Sequence, residues 1–215
     1  MENLRLDIQS LFAGGRLCLD FINTLCQRRG VDWEFIHTGE ELRQWLLQAE
    51  SVLEKPLCPN DDVWDEGYGE SALPRAHELR AALQSLALSV IEKRPVPTEA
   101  LETVNAVLRA NPTYSQIGKD NEAFEESLAV SHPEDRWLTA IARDAVDLFC
   151  HSDLSLLRQC ECASCVRVFY DTTKNHRRRW CVEKCSSQTK AAAYYRRKKA
   201  KSETPISSEE RLSPA

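Results

Sequence analysis

The residues most able to do chemistry lie in one stretch, CECASCVRVFYDTTKNHRRRWCVEKC, residues 160–185. It holds five of the chain's nine cysteines and six of its Lys and Arg residues in 26 positions. Tetrahedral Zn²⁺ takes soft thiolate ligands, usually as two close pairs separated by a hairpin's length of chain. Cys181 and Cys185, with three residues between them, form one pair. Cys165 forms the other, either with Cys162 (two residues between) or with Cys160 (four between). Both spacings lie in the range that zinc sites use. Four thiolates close the coordination shell, so the reading is one structural Zn²⁺, not a catalytic one. Cys18, Cys26, Cys58 and Cys150 stand apart and read as small core residues.

The elements that must hold these pairs can be read around them. Val166, Val168 and Tyr170 alternate as in a strand, and DTTKN reads as the turn of a hairpin leading to the second pair. After Cys185, SSQTKAAAYYRRKKAK reads as a helix with a serine cap and an alanine-rich start. A knuckle, a hairpin and a second pair at a helix N-terminus describe a treble-clef-like zinc finger. The helix N-terminus favours thiolates through its unpaired N–H groups.

Charge divides along the same line. Residues 1–157 carry a net −13, residues 158–201 a net +10 and residues 202–215 a net −2, giving −5 for the 215-residue chain. A polyanion meets local charge, not the net value. Arg177, Arg178 and Arg179 precede the second cysteine pair, and Lys190, Arg196, Arg197 and Lys198 lie on the last helix. Lys190, Tyr194, Arg197 and Lys201 fall along one side of that helix, a row that can follow a phosphate backbone with an aromatic ring beside it. DNA and RNA fit this charge equally well.

Residues 1–157 read as an acidic, mostly helical domain, so the expected fold class is mainly α with a small β-hairpin. HTGEELRQWLLQAESVL carries a capping box, Thr38 with Glu41, followed by Leu42, Trp45, Leu46 and Ala49 at helical spacing. A second helix is expected from Pro74 to the residues before Pro95, burying Ala76, Leu79, Leu83, Leu86, Ala87 and Val90. PTEALETVNAVLRA reads as a helix capped by Thr98 with Leu101, Val104 and Leu108 inward. PEDRWLTAIARDAVDLFC reads as another, through Leu138, Ile141, Ala145, Leu148 and Phe149. TYSQIGKDNEAFEESLAV suits a hairpin, while VDWEFIHTG and CPNDDVWDEGYGES read as loops. In LFAGGRLCLDFINTLCQ a helix is preferred to a strand, with Leu17, Phe21 and Leu25 on one face and Asp20, Asn23 and Thr24 together. With Arg80 those polar residues would line a pocket for a small-molecule effector, or else form a buried hydrogen-bond network. The Ser/Pro/Glu-rich residues 202–215 read as a disordered tail.

The N-terminus lacks a basic-then-apolar layout, and no apolar run approaches the ~18 residues of a membrane span. The expected setting is cytoplasmic and reducing, where clustered cysteines point to metal more than to disulfides. No nucleophile–base pair, Gly-rich phosphate loop or carboxylate dyad stands out, so an enzyme is not the expectation. Composition and spacing leave the oligomeric state open. A protein–protein adaptor using the basic finger and an enzyme with a pocket in the helical domain are the rival readings.

FYDTTKNHRRRWC, with Cys185 and Lys190 beyond it, resembles the C-terminal CGNR zinc finger of bacterial proteins. GGRLCLDFINTL resembles the N-terminal signature of ABATE, the helical domain that precedes that finger. LRQWL and HELRAALQSL fall in the order the resemblance expects, which covers about residues 10–200. It implies a stress-related transcription regulator that binds DNA through the finger. It also favours Cys160 as the first ligand, with four residues before the second. The naming motif Cys-Gly-Asn-Arg is here Cys185-Ser186-Ser187-Gln188. The ligand is kept and the arginine is not, and with it goes any contact the arginine would make to DNA.

Overall fold

The computed structural model describes residues 12–28, 31–53, 57, 64–120 and 123–202. The elements run α1 (Leu17–Ile22), β1 (Leu25–Arg28), β2 (Val31–Glu34), α2 (Gly39–Leu53), α3 (Glu66–Ile91), α4 (Thr98–Ala110), β3 (Thr113–Asp120) and β4 (Ala123–Val130). They continue with α5 (Arg136–His151), β5 (Leu157–Gln159), β6 (Val168–Tyr170) and α6 (Glu183–Ser202). The strands form three antiparallel pairs, β1–β2, β3–β4 and β5–β6. None of the described helices is long and apolar enough to cross a membrane.

The helical body closes around α1. All six α1 residues are buried, and the helix packs against α3, α5 and β6. Leu19 and Phe21 join Leu42, Trp45 and Leu46 of α2, Leu79 and Leu83 of α3, and Trp137 and Ile141 of α5 in one core. Phe21 and Trp45 meet with ring centroids 5.2 Å apart. The α2 capping box forms: Thr38 Oγ accepts from the Glu41 N–H at 3.2 Å, and the Glu41 carboxylate accepts from the Thr38 N–H at 3.2 Å. Residues 42, 45, 46 and 49 are the buried stripe. At the α2–α3 crossing the backbones of Gly39 and Gly69 touch, so a Cβ on Gly39 would overlap the Gly69 main chain.

Several elements depart from the sequence expectation. The α1 helix stops at Ile22, and Leu25 belongs to a strand. At the stop the Phe21 carbonyl accepts from both the Thr24 hydroxyl at 2.7 Å and the Thr24 N–H at 3.2 Å, closing the helix with a tighter turn. VDWEFIHTG is not all loop, because Val31–Glu34 pairs with Leu25–Arg28. The α3 helix begins eight residues before Pro74, with Asp65 as its cap accepting from the Tyr68 N–H at 2.7 Å. Packing of Gly69 and Ala72 in that extra length outweighs the missing hydrogen bond at Pro74. In α4 the cap position is Pro97, and Ala100 and Val104 are buried while Leu101 is exposed. Cys18 and Cys26 are core residues, whereas Cys150 is exposed. Cys58 and residues 203–215 of the expected tail lie outside the described residues, and Ser202 belongs to α6.

What places the C-terminal module is the second edge of β6. Its first edge pairs with β5, in the register Arg158–Phe169. On the other edge Asn23 acts as a substitute strand. Its side-chain amide donates to the Val168 carbonyl at 2.8 Å and accepts from the Val168 N–H at 3.0 Å. Two positions on, the Tyr170 N–H donates to the Gly14 carbonyl at 2.7 Å. The turn before α1 that offers this carbonyl is held by Asp20, whose Oδ1 accepts from the Gly14 N–H at 2.7 Å. Gly15, at φ +76°, supplies the left-handed residue of that turn. Burial pushes the Asp20 carboxyl up to about 7, against the pull of the Gly14 N–H and of Arg178 and Arg167.

Asn23→Ala leaves the buried Val168 N–H and carbonyl unpaired, which should cost roughly 2–6 kcal/mol at ~1–3 per orphaned group. Urea unfolding measures it, and a loss below about 0.5 kcal/mol would mean that Asn23 does not hold β6 in place. Folded Asp20 keeps a proton up to about pH 7 that the unfolded chain releases near 3.8, so stability from this group falls as pH rises between those values. Asp20→Asn should flatten that slope. Comparing wild type and variant in urea from pH 5 to 7 tests it, and parallel curves would refute it.

Candidate metal centre and basic surface

Four sulfurs converge behind β6. The ligand atoms of Cys160, Cys165, Cys181 and Cys185 all lie within 4.8 Å of one another, and all four residues are buried. The Cys165–Cys181 and Cys181–Cys185 Sγ separations are each 3.7 Å. A regular tetrahedron of sulfurs about 2.3 Å from Zn²⁺ has edges of ~3.8 Å, so the donor set and its spacing fit one zinc ion. Hydrogen bonds among these sulfurs hold the Cys160 thiol far below its ordinary value and push that of Cys185 far above it. All four sulfurs could be thiolates at this spacing only with a dication between them.

Local structure sets each ligand. Cys160 follows β5, and its N–H donates to the Arg167 carbonyl at 2.9 Å, continuing the β5–β6 ladder. The knuckle then turns back, with the Cys165 N–H donating to the Cys162 carbonyl at 2.8 Å. The strand pair therefore flanks the first knuckle. The expected hairpin around DTTKN does not form, because β6 already has partners on both edges. Cys181 precedes α6 and donates its N–H to Cys160 Sγ at 3.4 Å, while Cys185 lies in the first turn of that helix. Cys160, not Cys162, joins the cluster. Cys162 is buried beside it, with its thiol 3.3 Å from Ser164 Oγ and donating to Gln188 Oε1 at 3.9 Å. Gln188, where the naming motif has arginine, is thus engaged with the knuckle.

The three consecutive arginines separate into different roles. Arg178 is half-buried and engaged inside the fold. Its guanidinium donates to the Trp180 carbonyl at 3.0 Å, to the Ala13 carbonyl at 2.8 Å and to the Cys181 carbonyl, and lies 4.5 Å from the Phe169 ring centroid. It ties the turn before α1 to the metal loop. Arg179 pairs with Glu161 at 2.5 Å and lies over the Trp180 ring. Arg177 is exposed, with no carboxylate partner among the described residues. The loop that presents it is fixed by buried Asp171. That carboxylate accepts from Thr173 N–H and Oγ at 3.0 and 2.6 Å and from the Arg178 N–H at 2.8 Å. Burial pushes the Asp171 carboxyl up, but these donors hold it below its ordinary value.

Beyond its first turns α6 stands in solvent. Lys190, Arg196, Arg197 and Lys198 are exposed, and Lys190 Nζ lies 5.9 Å from the Trp180 ring centroid. Tyr194 and Tyr195 are 56% and 67% exposed, in edge contact at 5.6 Å. The α6 helix includes Lys201, whose side chain is outside the described residues.

Asp20, Asn23, Thr24 and Arg80 form the buried hydrogen-bond network that is the other reading of these residues. All four are buried and spend their polar groups internally. Arg80 donates to Thr24 Oγ at 2.9 Å and forks onto Glu34, whose Oε1 is 2.7 Å away, holding β2 against α3. Facing this guanidinium, the Glu34 carboxyl sits below its ordinary value despite burial pushing it up. Sequence reasoning grouped Asp20, Asn23 and Thr24 correctly on the chain but could not see the backbone groups they answer.

Cys160→Ser should lose the metal and Cys162→Ser should keep it. Elemental analysis should give about one zinc per chain for wild type and Cys162→Ser, and far less for Cys160→Ser. The reverse pattern would move the first ligand to Cys162. Arg178→Ala should cost about 2–4 kcal/mol, at ~1.5–3 per charged hydrogen bond with partial rescue by water, whereas Arg177→Ala should stay within about 0.5 kcal/mol. Equal unfolding midpoints for the two variants would overturn the separation.

The model for ABATE, described as "Putative stress-induced transcription regulator", matches residues 15–152. The model for the CGNR zinc finger matches residues 157–198, which include all four clustered cysteines. None of the curated proteins matches the chain. The first match spans more than half of the sequence, and the chain belongs to the ABATE family, with a CGNR zinc finger following the helical body.

Proposed function

We propose that the chain is a transcription regulator of the cytoplasm that binds DNA through the exposed basic face of its zinc module, and that it is not an enzyme. The observation that carries this reading is the separation of the finger's cations into committed and free groups. Arg178 and Arg179 satisfy the protein itself. Arg177, Lys190, Arg196, Arg197 and Lys198 are exposed and make no ion pair among the described residues, beside two exposed tyrosines. Cations left unpaired on the finger suit a polyanion, although the body of net −13 beside them repels one. DNA is preferred to RNA because the matched family is described as a transcription regulator.

The zinc holds this face in place and takes no part in binding the polyanion. Its loop carries Arg177, and α6, nucleated at Cys181 and Cys185, carries the lysines and the remaining arginines. Replacing Lys190, Arg196, Arg197 and Lys198 by alanine should flatten the log–log salt dependence of DNA binding by roughly 0.9 for each phosphate no longer neutralised. The zinc content should not change, because none of the four side chains is a metal ligand. Salt titration of binding by fluorescence anisotropy measures this. An unchanged slope in a variant that retains one zinc would take α6 out of the interface and favour a protein partner for the finger.

A further inference from the structure

The β3–β4 hairpin carries an apolar patch that the other described residues leave uncovered. The hairpin pairs eight residues with eight, from Thr113–Val130 to Asp120–Ala123, and packs on no other element to an extent comparable with its own pairing. An isolated two-stranded hairpin is marginal in water. In this register Ile117 is opposite Glu126 and Lys119 is opposite Phe124, so the four side chains share one face near the hairpin's far end. Ile117 is 83% exposed and Phe124 is 89% exposed. Lys119 and Glu126 have no ion-pair partner among the described residues.

The arrangement of these four selects a partner. They occupy the corners of a rectangle about 4.8 Å across the strands and ~6.8 Å along them. Ile117 and Phe124 lie on one diagonal, Lys119 and Glu126 on the other. A two-fold axis laid along the apolar diagonal places Ile117 on Ile117 and Phe124 on Phe124 of a second copy. The same operation brings Lys119 of each copy near Glu126 of the other, within reach of these flexible side chains. An isologous contact must be self-complementary in this sense. Axes along the rectangle's edges put apolar side chains on charged ones, and an axis along the charged diagonal opposes like charges.

We infer that the face formed by Ile117, Lys119, Phe124 and Glu126 is a self-association surface that joins two copies of this chain hairpin to hairpin. The patch is smaller than a standard permanent interface, so association is weak and concentration-dependent. It would bring two basic modules to one nucleic acid.

Sedimentation equilibrium on the full-length zinc-loaded protein, from about 10 µM to about 1 mM, tests this. The average mass should rise from 24.5 kDa toward twice that value. Phe124→Ser, an exposed change, should remain monomeric with its zinc content intact. Lys119→Glu alone and Glu126→Lys alone each oppose like charges across the axis, and each should weaken association about tenfold. Mixing these two variants restores opposite charges between the copies and should recover wild-type association. A mass fixed at 24.5 kDa at every concentration would overturn the proposal. So would a mixture that associates no better than its components, because the interface would then lie elsewhere.

Discussion

Everything that gives this molecule a shaped basic surface depends on how one three-residue strand is held on both edges. β6 pairs with β5 on one side and with the amide of Asn23 and the carbonyl of Gly14 on the other. A strand this short has no stability of its own. Satisfied on both edges, it becomes the floor of the metal site, with Phe169 buried against the cysteines and Val168 in the core of the helical body. One strand thus belongs to both hydrophobic clusters. The finger is not tethered to the body by a free linker but shares a backbone ladder with it.

The same economy explains the cations. A run of three arginines offers positive charge in every direction, and the fold assigns each direction a task. Arg178 answers carbonyls that the loop and the turn before α1 would otherwise leave unpaired. Arg179 covers Trp180 and neutralises Glu161. The charge open to a partner is therefore what remains on Lys174, Arg177 and α6, less than the +10 of the segment suggests. A basic segment is best counted after its internal hydrogen bonds are subtracted.

The acidic body contributes more than repulsion. Its buried polar residues, Asp20, Asn23, Thr24 and Arg80, are aimed at backbone groups of the turn before α1, of β6, of the α1 end and at Glu34. Each of the first three stands where the main chain changes direction and would otherwise bury an unmet donor or acceptor. They are construction residues at the seam between body and finger, which is why they sit together in the sequence near a glycine pair.

Local chemistry was legible along the chain. Thr38 and Glu41 announced the start of α2, the 3–4 spacing of Leu42, Trp45 and Leu46 announced its buried face, and the paired cysteines announced zinc, because each signal acts within a few residues. Whether Cys160 or Cys162 completes the site was open to spacing alone. The β5–β6 ladder decides it by placing Cys160 at the strand end, next to Cys181. The early start of α3, the β1–β2 pair, the absence of the DTTKN hairpin and the inward turn of Arg178 were equally invisible. Most of these depend on a partner tens of residues away: Gly39 for Gly69, Asn23 for Val168, Ala13 for Arg178. Sequence by itself determined which residues could bind metal, carry charge or bury a stripe. Only tertiary structure decided which of them were already spent, since a hydrogen bond made inside the fold removes that group from any other use.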